Sequence, residues 1–339
     1  MERHIFNYHQ PFDLELGGQL PSLQIVYHTA GTFDPNKNNV IWACHSLTSN
    51  SNVFDWWNGF FGENCFFNPD DHFIICANAL GSCYGTTGPL NTATAYQYHN
   101  FPEITIRDMA NVHDLLRQEL GIQKIHTVLG GSSGGKQVLE WATIQPNVFD
   151  HVIALCANAR RTPWAISWSE TQRMAIRTDP TWKESHPKAG LEGMKTARAI
   201  ALISYRAFGS YQMSQSETDL EKTTDFKAAS YQRYQGEKLA RRFDAFTYYT
   251  MTLAMDTYNL GRGRSSVKEA LQRINAKVLS IGVDSDLLFP THEQKFIAQH
   301  VKHGTFREIT SLYGHDGFLI EMDQIQEAIE YFYQSDNHI

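Results

Sequence analysis

The chain has 339 residues, 42% of them hydrophobic and 19% charged, with a formal net charge of −7. This is the composition of an ordinary globular protein, long enough for one large domain with an insertion or for two domains. The acidic balance and the lack of any long Lys/Arg block argue against the basic surface that nucleic-acid binding needs. The N-terminal stretch from Met1 to His9 lacks the cationic start and apolar core of a signal peptide, and no apolar run is long enough to span a bilayer. The five cysteines form no C-x-x-C pair, which argues against a zinc or thioredoxin-type site, and their odd number points to a reducing cytoplasm.

In chain order, residues 39–44 form an apolar strand that runs into the polar loop His45–Asn50, and residues 72–77 form a second strand followed by a Gly-rich loop from Gly81 to Pro89. Residues 107–120 read as an amphipathic helix ended by Gly121, 124–129 as a strand, 133–144 as a helix and 150–156 as a strand. From about residue 160 to 263 the strand signal disappears, and helices are expected over 164–177, 191–208 and 231–258. The alternation then returns, with strands at 276–283 and 306–312 and helices at 292–301 and 324–333. Short apolar runs alternating with amphipathic helices imply a mostly parallel sheet with helices on both faces. The expected organisation is an α/β core, residues 1–159 and 264–339, interrupted by a helical cap over 160–263.

The sharpest motif is Gly130-Gly131-Ser132-Ser133-Gly134-Gly135, a G-x-S-x-G placed between an expected strand and an expected helix. That is the context of a nucleophile elbow, with Ser132 as nucleophile. The plainer alternative is a Gly-rich turn that binds phosphate or merely packs. A serine hydroxyl needs a base, and the α/β-hydrolase order places an acid and then a histidine after later strands. Asp286 follows the strand at 276–283, and His315 follows the strand at 306–312, between Gly314 and Gly317. Asp284 is the rival acid; it stands closer to the strand, where it could instead cap the loop. Asp316 cannot easily turn back onto its own neighbour and is better placed to face the pocket. For the oxyanion hole the fold needs the N–H of Ser133 and one from the loop after residue 44, assigned to Leu47. His45 reads as a structural histidine holding that loop.

These residues together resemble the homoserine O-acetyltransferase family of α/β-hydrolase-fold acyltransferases. The resemblance runs from Leu23–Gly31 through Cys44–Thr48, Asn78–Pro89, Phe101–Asp108, Leu139–Ala142, Gln172–Trp182 and Tyr234–Lys238 to Asp286–Pro290 and Gly314–Asp316. It implies a Ser132–His315–Asp286 triad and a ping-pong reaction, in which acyl-CoA acylates Ser132 and the hydroxyl of homoserine then takes the acyl group. It also implies that Arg173 binds the amino acid's carboxylate and Asp316 its amino group, and that the chain forms a homodimer through the cap. It implies no metal and no tightly bound cofactor, with acetyl-CoA as the donor; a succinyl donor, or serine or water as acceptor, stays open, as does a catalytically idle binding protein. Ser133 and Lys136 stand where the family often has methionine, and Phe246 stands where it tends to have asparagine.

Overall fold

The computed structural model describes residues 1–334. Its main sheet has eight strands, introduced here in chain order with a small hairpin. β1 (Glu2–Tyr8) and β4 (Leu23–Ala30) pair antiparallel, and β2 (Phe12–Asp13) and β3 (Gln19–Leu20) form the hairpin between them. β5 (Val40–Cys44), β6 (Phe73–Ala77), β7 (Ile125–Gly131), β8 (Phe149–Leu155), β9 (Lys277–Val283) and β10 (His303–Ile309) run parallel to one another, and β4 joins β6 antiparallel. The order across the sheet is β1-β4-β6-β5-β7-β8-β9-β10.

The central strands are buried along nearly their whole length, which is why they read as short, mostly apolar runs. The antiparallel arm was not foreseen. β1 lies at the sheet edge, half exposed, so no continuous apolar run marks it. β10, the other edge, is also largely exposed and begins three residues before the expected start at 306; Leu312, expected at its end, is exposed beyond it.

α1 (Ile106–Glu119) begins with a reciprocal capping box: Thr105 Oγ1 accepts the Asp108 N–H, and the Asp108 carboxylate accepts the Thr105 N–H at 2.8 Å. α2 (Ser133–Ile144) follows β7 directly. Between β8 and α8 (Val267–Gln272) the chain builds α3 (Pro163–Arg177), α4 (Leu191–Tyr205), α5 (Phe208–Gln215), α6 (Lys227–Ala240) and α7 (Ala245–Asp256), with no named strand. An antiparallel bridge between Arg160 and Asn259 ties the two ends of this segment together. α9 (Thr291–His300) and α10 (Met322–Gln334) complete the core.

Two expected helices are broken. The helix expected at 191–208 turns out of α geometry at Arg206, where Gly314 packs so tightly that an added Cβ would lie 2.8 Å from the Ala207 nitrogen. The helix expected at 231–258 breaks over 241–244, and α7 restarts on Asp244, whose side chain accepts the Thr247 N–H at 2.7 Å.

β5 pairs with β6 on one side and β7 on the other. The chain thus reverses its direction of progress across the sheet at β5, and the carboxyl ends of β5 and β7 flank the crevice where open α/β sheets bind ligands.

Candidate active site

Ser132 sits between β7 and α2 with φ 57° and ψ −118°, a conformation that costs a non-glycine residue energy. The turn is held by the Ser132 N–H donating to the Leu155 carbonyl at 2.9 Å. The flanking glycines are demanded by what approaches them. A Cβ on Gly134 would lie 2.0 Å from the Cys44 carbonyl oxygen, so the end of β5 touches the start of α2 backbone to backbone. A Cβ on Gly131 would lie 2.3 Å from the Phe318 ring, which belongs to the same short 3₁₀ turn as His315. The elbow glycines thereby admit both the Leu47 loop and the His315 loop.

Leu47 lines the same small chamber as Ser132. Ser46 Oγ donates to the Gly131 carbonyl at 3.0 Å and pins the loop to the elbow. His45 is fully engaged: Nε2 accepts the Ala79 N–H at 2.9 Å, so Nδ1 carries the proton and donates to the Ser46 carbonyl at 2.8 Å. Burial pushes this imidazole down to about 4, which keeps it neutral. The N–H groups of Leu47 and Ser133 donate to no partner among the described residues. At Ser133 this is the unsatisfied first turn of α2, where the helix dipole also favours negative charge.

The carboxylate that meets His315 is that of Asp286, with Oδ2 2.7 Å from Nδ1. Its Oδ1 accepts the N–H groups of Leu288 at 2.8 Å and Phe289 at 2.9 Å, so the carboxylate cannot rotate freely. Asp284 is exposed and accepts the Ser311 N–H at 3.1 Å, tying two loops together. His315 is enclosed by the rings of Phe289, Phe318 and Tyr205. Its Nε2 is buried and has no hydrogen bond, so the serine–histidine bond is not formed in this structure. Such bonds commonly tighten only with substrate bound. Cys156, read from the sequence only as a core residue, places Sγ within 4.8 Å of ligand atoms of both Asp286 and His315. Both Asp286 oxygens are already engaged in hydrogen bonds, and burial keeps the Cys156 thiol protonated.

The chamber at Ser132 measures about 20 Å³. It has room for roughly one water molecule. Arg173 does not line it. Its Nη2 contacts Glu170 at 2.7 Å and Asp256 at 2.6 Å, and its whole side chain is buried. Gln172, its neighbour, does line the chamber. Asp316 lies beside His315 and pairs with Arg206 at 3.0 Å; burial pushes its carboxyl above the usual range, against the pull of Arg206. The charged residue that lines the chamber is Arg161, just past the carboxyl end of β8. Sequence reasoning passed over it. Its one signal was an Arg160-Arg161 pair at the end of a central strand, where ligand-facing residues gather. Lys136 is wholly buried, its Nζ without a hydrogen bond and 4.8 Å from the centre of the Phe289 ring.

Comparison with known proteins agrees with this architecture. A family model described as the alpha/beta hydrolase fold matches residues 39–321. A homoserine O-acetyltransferase of Cyclobacterium marinum is 48% identical, covering 99% of this chain and 97% of the relative. Among solved structures, a homoserine O-acetyltransferase from Bacillus anthracis superposes with a TM-score of 0.89 at 23% identity, covering 98% of this chain and 97% of that one. The structure of esterase E22 superposes with a TM-score of 0.88 at 21% identity, covering 98% and 99%. These two share the fold, while the Cyclobacterium relative shares the sequence along its whole length. The chain therefore belongs to the alpha/beta hydrolase family and, within it, to the homoserine O-acetyltransferases.

Proposed function

We propose that this protein transfers the acetyl group of acetyl-CoA to the hydroxyl of homoserine through an acyl-Ser132 intermediate. The observation that carries the reading is near-full-length similarity to a relative named homoserine O-acetyltransferase. The site geometry supports it. Ser132 Oγ attacks the thioester carbonyl while His315 Nε2 takes its proton, and the oxyanion lies between the N–H groups of Leu47 and Ser133. Asp286 holds Nδ1 protonated, which leaves Nε2 free to accept. The thiol of CoA leaves with the proton from His315. The homoserine hydroxyl then attacks the acyl carbon, gives its proton to His315, and Ser132 Oγ departs and recovers that proton. Asp316, beside the histidine, takes the acceptor's ammonium group.

The helices over 160–263 act in this proposal as a cap. The exposed Phe208 and Met213 on α5 and Ile203 on α4 provide apolar surface for a homodimer through that cap, which light scattering tests by mass. Among the described residues no helix is long and apolar enough to cross a membrane, and we place the enzyme in the cytoplasm.

Water as acceptor is the second reading, favoured by the likeness to an esterase. Thiol release from acetyl-CoA with homoserine, with serine and with no acceptor decides between them. Homoserine-dependent release supports acyl transfer; equal release without an acceptor refutes it.

A further inference from the structure

We propose that an aromatic cavity on the side of α7 turned away from Ser132 is a binding site for a compact organic cation, an alkylated ammonium group. The cavity measures about 210 Å³ and shares no lining residue with the chamber at Ser132. It lies between the segment joining β6 to α1, the connection between α3 and α4, and one face of α7. From α7 it takes Phe246, Tyr249, Thr250 and Leu253, the i, i+3, i+4, i+7 stripe of one helix face. The opposite face of α7 serves the chamber. Tyr248 donates to Gln172 Oε1 at 2.7 Å, and Gln172 and Met255 line the space at Ser132. One helix thus separates two sites.

The walls are suited to a cation. Trp182 lies over Phe246 with ring centres 4.8 Å apart and over Tyr249 at 5.1 Å, the planes inclined by 30° and 34°. His99 stands edge-on to Trp182 at 4.7 Å, and Tyr98 stands 5.3 Å from Phe246. The faces of such rings carry negative charge density and attract cations. Glu103 also lines the cavity; it is exposed, and its carboxylate has no partner among the described residues. No Lys or Arg lines the cavity. Arg177 reaches the hydroxyl of Tyr249 at 3.0 Å but is already paired with Glu170. Ring faces and a free carboxylate together favour a positive ligand and repel an anion. A neutral apolar ligand gains nothing from Glu103.

Packing alone does not account for this arrangement. Tyr98 has φ 58°, a conformation that costs a bulky residue energy, and its N–H donates to the Pro89 carbonyl at 2.8 Å. That strained turn brings Tyr98 and His99 onto the cavity, where the His99 ring is fixed by donating from Nε2 to the Trp182 carbonyl at 2.7 Å. Phe246 is buried beneath, while Tyr98, Trp182 and Tyr249 stay half-exposed, so their rings are not consumed by the core. Sites for drug-sized ligands run to roughly 300–1,000 Å³, so the occupant here is smaller.

The test uses the full chain and two probes of the same shape, choline and its uncharged carbon isostere 3,3-dimethylbutan-1-ol, titrated at pH 8 and followed by ligand-observed NMR. Saturable binding of choline is expected, with the neutral alcohol about ten-fold weaker, the scale of one desolvated cation over aromatic faces. Glu103→Gln is expected to weaken choline about three-fold, as for an exposed ion pair. Tyr249→Leu removes a ring and is expected to weaken choline further, whereas Tyr249→Phe keeps the ring and the affinity. Absence of saturable choline binding in the millimolar range, equal affinity for the two probes, or equal binding by wild type, Glu103→Gln and Tyr249→Leu overturns the proposal. Choline also carries a hydroxyl and could enter the chamber at Ser132. Loss of its binding in Asp316→Asn, with Glu103→Gln unaffected, places it there and likewise overturns the proposal. The readout is binding rather than turnover, so its failure is distinct from a failure of the acyltransferase reading.

Discussion

Replacing Asp286 by Asn tests the proposed triad with almost no change in shape. In the native site Oδ1 accepts two backbone N–H groups, from Leu288 and Phe289, while Oδ2 faces His315 Nδ1. The asparagine amide must keep its oxygen on the two backbone donors, because turning its NH₂ toward them would set donors against donors. Its NH₂ then faces Nδ1, which can only accept. The imidazole is forced into the tautomer with the proton on Nε2, the nitrogen that has to take the proton of Ser132. The substitution also removes the negative charge that stabilises the imidazolium formed in the transition state. In a serine protease the same exchange lowers turnover by about ten thousand-fold, equivalent to about 5.4 kcal/mol of lost transition-state stabilisation. Asp286→Asn is expected to fall by that order in thiol release with acetyl-CoA and homoserine, with its circular dichroism unchanged. Asp284→Asn, which changes only an exposed link to the Ser311 N–H, is expected to stay within about ten-fold of wild type. An Asp286→Asn enzyme of near-normal turnover, or an equal loss in both variants, would refute the assignment.

Ser132→Ala removes the nucleophile and is expected to lower turnover by about a million-fold; a folded variant that still forms an acyl-enzyme, read by mass spectrometry, would exclude Ser132 as the acylated residue. Lys136→Met is expected to stabilise the fold by about 1–3 kcal/mol at neutral pH, because a buried amine without a hydrogen bond is replaced by an apolar chain of similar length. Burial, with Arg161 adding to it, holds the Lys136 pKa well below its usual value, so over the window up to about pH 10.4 the unfolded chain binds the extra proton and wild-type stability rises with pH. The gain from the substitution should therefore shrink as pH climbs, and urea titrations showing a constant gain would contradict the neutral buried lysine. On the acid side, burial lowers both His45 and His113 to about 4. Each is neutral in the fold while the unfolded chain takes up protons below about pH 6.5, so stability should fall as pH drops from 6.5 towards 4. His113→Gln is expected to reduce that slope in urea titrations between pH 6.5 and 4, and an unchanged slope would exclude the ring as a contributor.

Much of this architecture was legible in the chain itself, because buried parallel strands and the helices that cover them have strong local signatures. β5 carries an uninterrupted apolar run and β7 and β9 mostly apolar ones, since both faces of a central strand are covered, and α2 starts and stops within its expected bounds, 133–144. Ser132 and Asp286 could be named because each follows such a strand, and His315 because it follows the strand signal at 306–312 and stands between loop glycines. What left little trace was whatever depends on a partner distant in sequence. The edge strand β1 has an exposed face and so no apolar run to announce it, and β10, expected at 306–312, lies three residues earlier at 303–309. At the break between α4 and α5, Gly314 packs closely on Ala207, a contact across more than a hundred residues that no local propensity encodes. The same holds for charge. Arg161 and Arg173 are both arginines near helix α3, and nothing local distinguishes one that lines the chamber from one held behind it. Only the folded chain, by setting Asp256 between the two guanidiniums, decides which of them reaches the cavity at Ser132.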